Sequence, residues 1–190
     1  MLWIKTFFGI LFQTTLLGIF LYLPALTLNW PDALLFLTIH FLLTILASAY
    51  LLIIKPASIE ARMNYDSDSQ PKEDRLATVL MLSAIVVGLS LAPIDFFHLN
   101  LSSSFEGNIK NIGLAIYIIG MLFFMASMNA NEFAETTVNI QEERGQKVID
   151  TGIYSLVRHP MYTGFIFFIT GVNVWSVSYT HLTLPTTHDV

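Results

Sequence analysis

Arg158, His159 and Pro160 stand at the mouth of an apolar run, bracketed by Tyr154 and Tyr162 in the stretch YSLVRHPMYTG (154–164). Together they offer a planar donor, a titratable ring and two aromatic faces. Proline disfavours helical backbone for the residue before it, here His159. It suits the first position of a helix, where its missing N–H costs nothing. A helix is therefore predicted to start at Pro160 and run into the apolar segment. Its first N–H groups and positive dipole end would face outward. Such an end attracts anionic or hydrogen-bond-accepting groups. Arg158 adds a donor fork matched to a carboxylate or phosphate. His159 adds a ring that donates or accepts near neutral pH. Tyr154 and Tyr162 add flat faces for a nucleobase or a cation. A plainer role fits the same residues: an arginine that snorkels and tyrosines of an interfacial belt.

The elements that must position these groups are apolar. The chain has 190 residues, 54% of them hydrophobic and only 12% charged. Its mean hydropathy is +0.63. Soluble domains usually carry about 25% charge, so composition alone points to the membrane. Segments 7–28, 33–54, 76–94 and 112–130 contain no Asp, Glu, Lys or Arg. Each has about the 20 apolar residues a helix needs to cross a ~30 Å hydrocarbon core. Helices fit because lipid cannot satisfy backbone polar groups. A fifth, shorter span is predicted over 160–175. The expected fold is an all-α, polytopic integral membrane bundle of about five transmembrane helices, forming one domain over 1–175. The run after Lys5 exceeds the roughly 7–15 residues of a signal-peptide core, so it reads as a retained span.

Charge orients the bundle. With a cytoplasmic N-terminus, Lys5, Lys55, Arg62, Lys72, Arg75, Arg144, Lys147 and Arg158 share one side, and Lys110 alone lies opposite, out of 9 basic residues. That bias predicts the N-terminus and the RHPMY segment on the cytoplasmic side. NWPD (29–32) is a tight turn that makes the first two spans an antiparallel hairpin, while 55–75 is a long polar loop. Gly113 and Gly120, and likewise Gly164 and Gly171, recur at seven-residue spacing on one helix face. Small faces let membrane helices approach closely, so these two helices are expected to pack together.

Other residues weigh less. Asn129, Asn131 and Glu132 end the fourth span with polar groups, and Glu142 and Glu143 suit a solvated surface. Gly145 and the DTG at 150–152 mark turns. His40 lies inside the second span, where an ionisable residue is a functional candidate. A neutral histidine hydrogen-bonded within a bundle is the plainer role, and His40 is kept out of the site. Asp95, after Pro93, is expected at the interface. The net charge of -5 and the lack of a basic patch argue against a nucleic-acid partner. The sequence has no cysteine, which excludes disulfides, thiolate metal sites and cysteine nucleophiles. HExxH, GxGxxG, P-loop and GxSxG patterns are absent, so no metal site is expected and nucleotide hydrolysis loses support.

The run VNIQEERGQKVIDTGIYSLVRHPMYTGF (138–165) resembles the isoprenylcysteine carboxyl methyltransferase and phospholipid methyltransferase superfamily. The matching positions are Glu143, Arg144, Gly145, Val148, Ile149, Gly152, Tyr154, Val157, Arg158, His159, Pro160, Tyr162 and Gly164. Gln146 replaces the common His, and Ile153 the common Pro. The loop KPASIEARMN (55–64) is also similar to the superfamily's loop after its second span. The resemblance implies a membrane enzyme that uses S-adenosylmethionine. It implies cofactor-binding roles for Gly152, Tyr154, Val157, Arg158, His159, Pro160 and Tyr162. It implies an isoprenylated or lipid-like acceptor that meets the enzyme in the bilayer. It names no catalytic residue. An ionised carboxylate acceptor needs no general base, and methyl transfer relies on positioning.

The superfamily's Glu-rich, Tyr-containing C-terminal half has no evident counterpart. SVSYTHLTLPTTHDV (176–190) stands in its place, rich in Thr and without the apolar pattern. It is expected to be an artefactual tail, leaving half of a cofactor site. Two other readings stay open. Sterol-reductase-type membrane enzymes share a similar RHPxY-like motif and use NADPH. A non-catalytic helical membrane protein would bind neither cofactor.

Overall fold

The computed structural model describes residues 1–63, 72–99, 109–131 and 150–177. They form six α-helices: α1 (Leu2–Ala25), α2 (Pro31–Ile54), α3 (Pro56–Met63), α4 (Lys72–Ile94), α5 (Ile109–Ala130) and α6 (Pro160–Val177). A π-helical turn, Asp95–Leu99, extends α4, and a 3-10 turn, Gly152–Ser155, leads towards α6. The fold is the expected all-α polytopic bundle. Among the described residues four spans are long and apolar enough to cross a membrane, α1, α2, the end of α4 with its π-helical extension, and α5; α6, expected as a fifth and shorter span, is not one of them. Large apolar side chains such as Phe8, Phe12, Leu46 and Ile166 cover its outside, as lipid requires.

The helices outrun the charge-free segments. α1 takes in Lys5, and α4 begins at Lys72 rather than near 76. Lys, Glu and Arg are good helix formers whose long stems carry their charges to water, so a charge need not end a span. The polar loop at 55–75 is partly helical, because Pro56 opens the short helix α3. α1 and α2 are joined by a short turn as expected, but it lies at 26–30, and Pro31 and Asp32 of NWPD already belong to α2. Leu26 adopts left-handed backbone (φ 53°), its N–H donates to the Leu23 carbonyl, and Pro31 opens α2 after Trp30. α6 starts at Pro160 as predicted but continues through Ser176 to Val177. Its 18 residues span about 27 Å at 1.5 Å per residue. The remainder of the expected tail, 178–190, lies outside the described residues.

The inner stripe of α1 is Thr6, Ile10, Leu17, Leu21 and Ala25, at helical spacing. Leu17, Leu21 and Ala25 of that stripe meet Ala33 and Phe36 of α2, Leu89 of α4, Tyr117 of α5 and Phe168, Val172 and Trp175 of α6 in one core. α5 and α6 are the most intimately packed pair. A Cβ on Gly120 would lie 2.7 Å from the Phe168 nitrogen and 2.9 Å from the Gly164 oxygen. A Cβ on Gly171 would lie 2.4 Å from the Tyr117 nitrogen. The two glycine faces therefore meet backbone to backbone, as their spacing predicts.

The up-and-down course gives the bundle two ends. One gathers the N-terminus, α3, the end of α5 and the start of α6. At the other, Trp30 packs against Tyr22, Phe96 and Phe97. There Lys110 forms an ion pair with Asp32 and sits 4.6 Å from the centre of the Trp175 ring. The indole N–H of Trp175 donates to the Asp32 carbonyl at 3.1 Å. Lys110, the one basic residue assigned to this side, is thus held by α2 and α6 together. Asp95 begins the π-helical turn at this end of α4.

Candidate functional site

The candidate site is built from three pieces of chain: the end of α5, the 3-10 turn and the start of α6. Gly152 opens the turn with φ +62°, a left-handed backbone that costs other L-residues roughly 1–2 kcal/mol. Space is not the constraint there, because an added Cβ would meet the Ala130 Cβ at an ordinary 3.5 Å. The turn is closed by Tyr154 N–H to the Thr151 carbonyl (3.2 Å) and Leu156 N–H to the Ile153 carbonyl (3.2 Å). Val157 N–H donates to Ile153 as well, at 3.0 Å. The Ser155 hydroxyl donates to the Gly152 carbonyl at 2.7 Å.

That turn leaves Tyr154 half-buried, with the Asn131 side-chain amide donating to its hydroxyl over a long 3.4 Å. Val157 is half-buried and Pro160 fully buried. Arg158 and His159 are exposed, and Tyr162 is 51% exposed. The His159 carbonyl accepts from both the backbone N–H (3.1 Å) and the hydroxyl (3.2 Å) of Thr163. His159 is therefore the residue that caps α6, while its ring stays at the surface. That ring lies 5.7 Å from the Tyr162 ring, tilted by 34°. Arg158, His159 and Tyr162 thus present a guanidinium and two aromatic rings beside the positive end of α6. Such a surface suits a ligand that is anionic at one point and flat or cationic at another.

The structure brings His159 to Tyr162 and Tyr154 to the end of α5. Asn131 was legible in the sequence only as a polar helix end, and its contact with Tyr154 is new. Glu132, Glu142 and the motif positions Glu143, Arg144, Gly145, Gln146, Val148 and Ile149 lie outside the described residues. Among the described residues no cluster of His, Asp or Glu could hold a metal. His40 stays away from this end. Its Nδ1 is 2.6 Å from the hydroxyl of Tyr117, and both side chains are fully buried. Tyr117 was not singled out in the sequence. A tyrosine in mid-span, far from either interfacial belt, was the available signal.

Comparison with known proteins points in the same direction as the motif in the sequence. Residues 109–188 match the sequence pattern of the phospholipid methyltransferase family. The chain is also similar to protein-S-isoprenylcysteine O-methyltransferase B of Arabidopsis thaliana, 33% identical over 67 residues. That match covers 35% of this chain and 34% of the relative, so the chain spans about a third of the curated relative it matches. No solved structure matches the chain. The resemblance carried by the RHPMY segment is thereby borne out for the C-terminal part of the chain, in an integral membrane protein.

Proposed function

We propose that this protein is an S-adenosylmethionine-dependent membrane methyltransferase acting on a carboxyl or other polar group of an isoprenoid- or lipid-like acceptor. The observation that carries the reading is the arrangement at the start of α6. Pro160 begins the helix, Arg158 and His159 stand exposed at its mouth, and the Tyr162 ring lies beside the His159 ring at a tilt. The donor set fits the cofactor. Arg158 and the helix start would hold its carboxylate. Tyr154, His159 and Tyr162 would supply faces for its adenine ring or its sulfonium. Gly152 and Val157 would shape the turn beneath it, and Pro160 would fix the helix start.

When bound, S-adenosylmethionine supplies a methyl group on a positively charged sulfur, so an acceptor oxygen forms the new bond while the methyl–sulfur bond breaks and its electron pair stays on sulfur. The residues named here contribute binding and orientation, which is where such a displacement gains its rate. A carboxylate acceptor arrives ionised, so none of them has to remove a proton. The apolar flanks of the bundle suit an acceptor that reaches the site from the bilayer. The positive-inside bias of the sequence supports a cytoplasmic position for this end, where a soluble cofactor would reach it.

Thermal unfolding in detergent tests the choice of cofactor. S-adenosylmethionine in excess is expected to raise the midpoint, since a ligand that binds only the folded state stabilises it. Stabilisation by NADPH and none by S-adenosylmethionine would transfer the reading to a reductase. Stabilisation by neither would favour a non-catalytic membrane protein.

A further inference from the structure

At the same end of the bundle, α3 lies against the last turn of α5. Ser58 of α3 is only 2% exposed, and its hydroxyl donates to the Met128 carbonyl of α5 at 2.9 Å. Met128 lies in the last turn of its helix, where carbonyls lack intrahelical partners and need others. Asn131 N–H closes the same turn on the Ser127 carbonyl at 2.9 Å. Beside Ser58, Ile59 packs with Leu51 and Leu52 of α2, and Leu2 and Met128 lie against that cluster. The far end of α3 is seated too, since a Cβ on Gly9 of α1 would lie 2.9 Å from the Met63 methyl.

The end of α5 that Ser58 holds is also the seat of the 3-10 turn. Ala130 faces Gly152, and Asn131 reaches the Tyr154 hydroxyl. A continuous path therefore runs from α3 through Met128 and Asn131 to Tyr154, and along the turn to Arg158 and His159. We propose that Ser58 is a positioning residue for the candidate cofactor site, acting through the last turn of α5 on Tyr154. Its chemistry fits: a short hydroxyl, buried in an apolar setting, whose bond ties α3 to a carbonyl in the last turn of α5. The proposal rests on reading this end as the cofactor site, but its structural half stands apart from the cofactor.

The test compares wild type, Ser58→Ala, Ser58→Thr and the control Thr6→Ala in lipid nanodiscs. Thr6 is buried at the same end, and its hydroxyl donates to the Leu2 carbonyl of its own helix. Hydrogen–deuterium exchange is read without ligand at the amides of Tyr154, Leu156 and Val157. Ser58→Ala is expected to speed their exchange by about 2- to 12-fold, the range one net hydrogen bond is worth. Ser58→Thr should restore it, and Thr6→Ala should leave it unchanged. In calorimetric titration, Ser58→Ala should weaken S-adenosylmethionine binding by a similar factor, with Thr6→Ala as the matched control. Unchanged exchange at Tyr154 in Ser58→Ala overturns the proposal, as does equal acceleration by Thr6→Ala. Accelerated exchange in a protein that binds no S-adenosylmethionine even as wild type would instead overturn the cofactor reading and keep the path from Ser58 to Tyr154.

Discussion

Two seams of the bundle are made in opposite ways. Between α5 and α6 the contact is backbone on backbone, through Gly113, Gly120, Gly164 and Gly171. Between α2 and α5 the contact runs through long side chains. The Phe36 and Tyr117 rings lie 4.9 Å apart, His40 bonds to Tyr117, and Asp32 pairs with Lys110. In lipid there is no hydrophobic drive to bring helices together, so close packing and buried polar contacts must do it. Here one seam uses the first and the next uses the second. The rigid glycine seam carries α6, whose start bears the RHPMY residues. The candidate site is thus mounted on the pair with the least room to shift.

The sharpest way to break this contrast is to fill the glycine seam. Gly120→Leu places a side chain where even a Cβ meets backbone atoms at 2.7 and 2.9 Å. Overpacking of this kind costs about 1–3 kcal/mol or more. A clear drop in the thermal midpoint in detergent is expected, and an unchanged melting profile would count against the seam. Tyr117→Phe probes the other seam by keeping the ring and removing the hydroxyl bonded to His40. Interhelical hydrogen bonds in membranes average about 0.6 kcal/mol, with a maximum near 1.7. The midpoint should fall, but by less than for Gly120→Leu; a larger fall would reverse the ranking of the seams. Lys110→Met is expected to have the smallest effect. The Lys110 side chain is 13% exposed and that of its partner Asp32 29%, and pairs near the surface are worth roughly 0–1 kcal/mol. Raising the salt concentration should shrink the difference between wild type and Lys110→Met, because screening weakens the pair. A difference that persists undiminished in high salt would assign Lys110 a packing role over Trp175 instead.

Much of this architecture was legible in the residues. Uninterrupted apolar runs located four spans, Pro160 located the start of α6, and glycine spacing located the α5–α6 seam. Each rests on a local rule: bilayer thickness, proline geometry and side-chain size. Charged residues misplaced the boundaries, since Lys5 and Lys72 continue helices that polarity alone would have ended. α3 was missed because its polar sequence reads as loop, and only packing of Ile59 and Ser58 against other helices reveals it. The candidate site was legible as a list but not as a shape. RHPMY named the residues, whereas the tilt of His159 against Tyr162 is set by the start of α6 and the seat of Tyr154 on Asn131 depends on how α5 ends. Contacts between residues distant in sequence, such as His40 with Tyr117 or Ser58 with Met128, leave no periodic mark on the chain.

In the proposed function Arg158 and His159 would hold S-adenosylmethionine at the start of α6. Isothermal titration of S-adenosylmethionine into the nanodisc-embedded protein, against the double variant Arg158→Ala, His159→Ala, tests it most directly. Both side chains are exposed, so the variant should fold and melt like wild type. Its affinity should fall by on the order of tenfold to a hundredfold, as expected for losing a hydrogen bond to a charged group. Affinity equal to wild type in a folded double variant would rule out that role for Arg158 and His159.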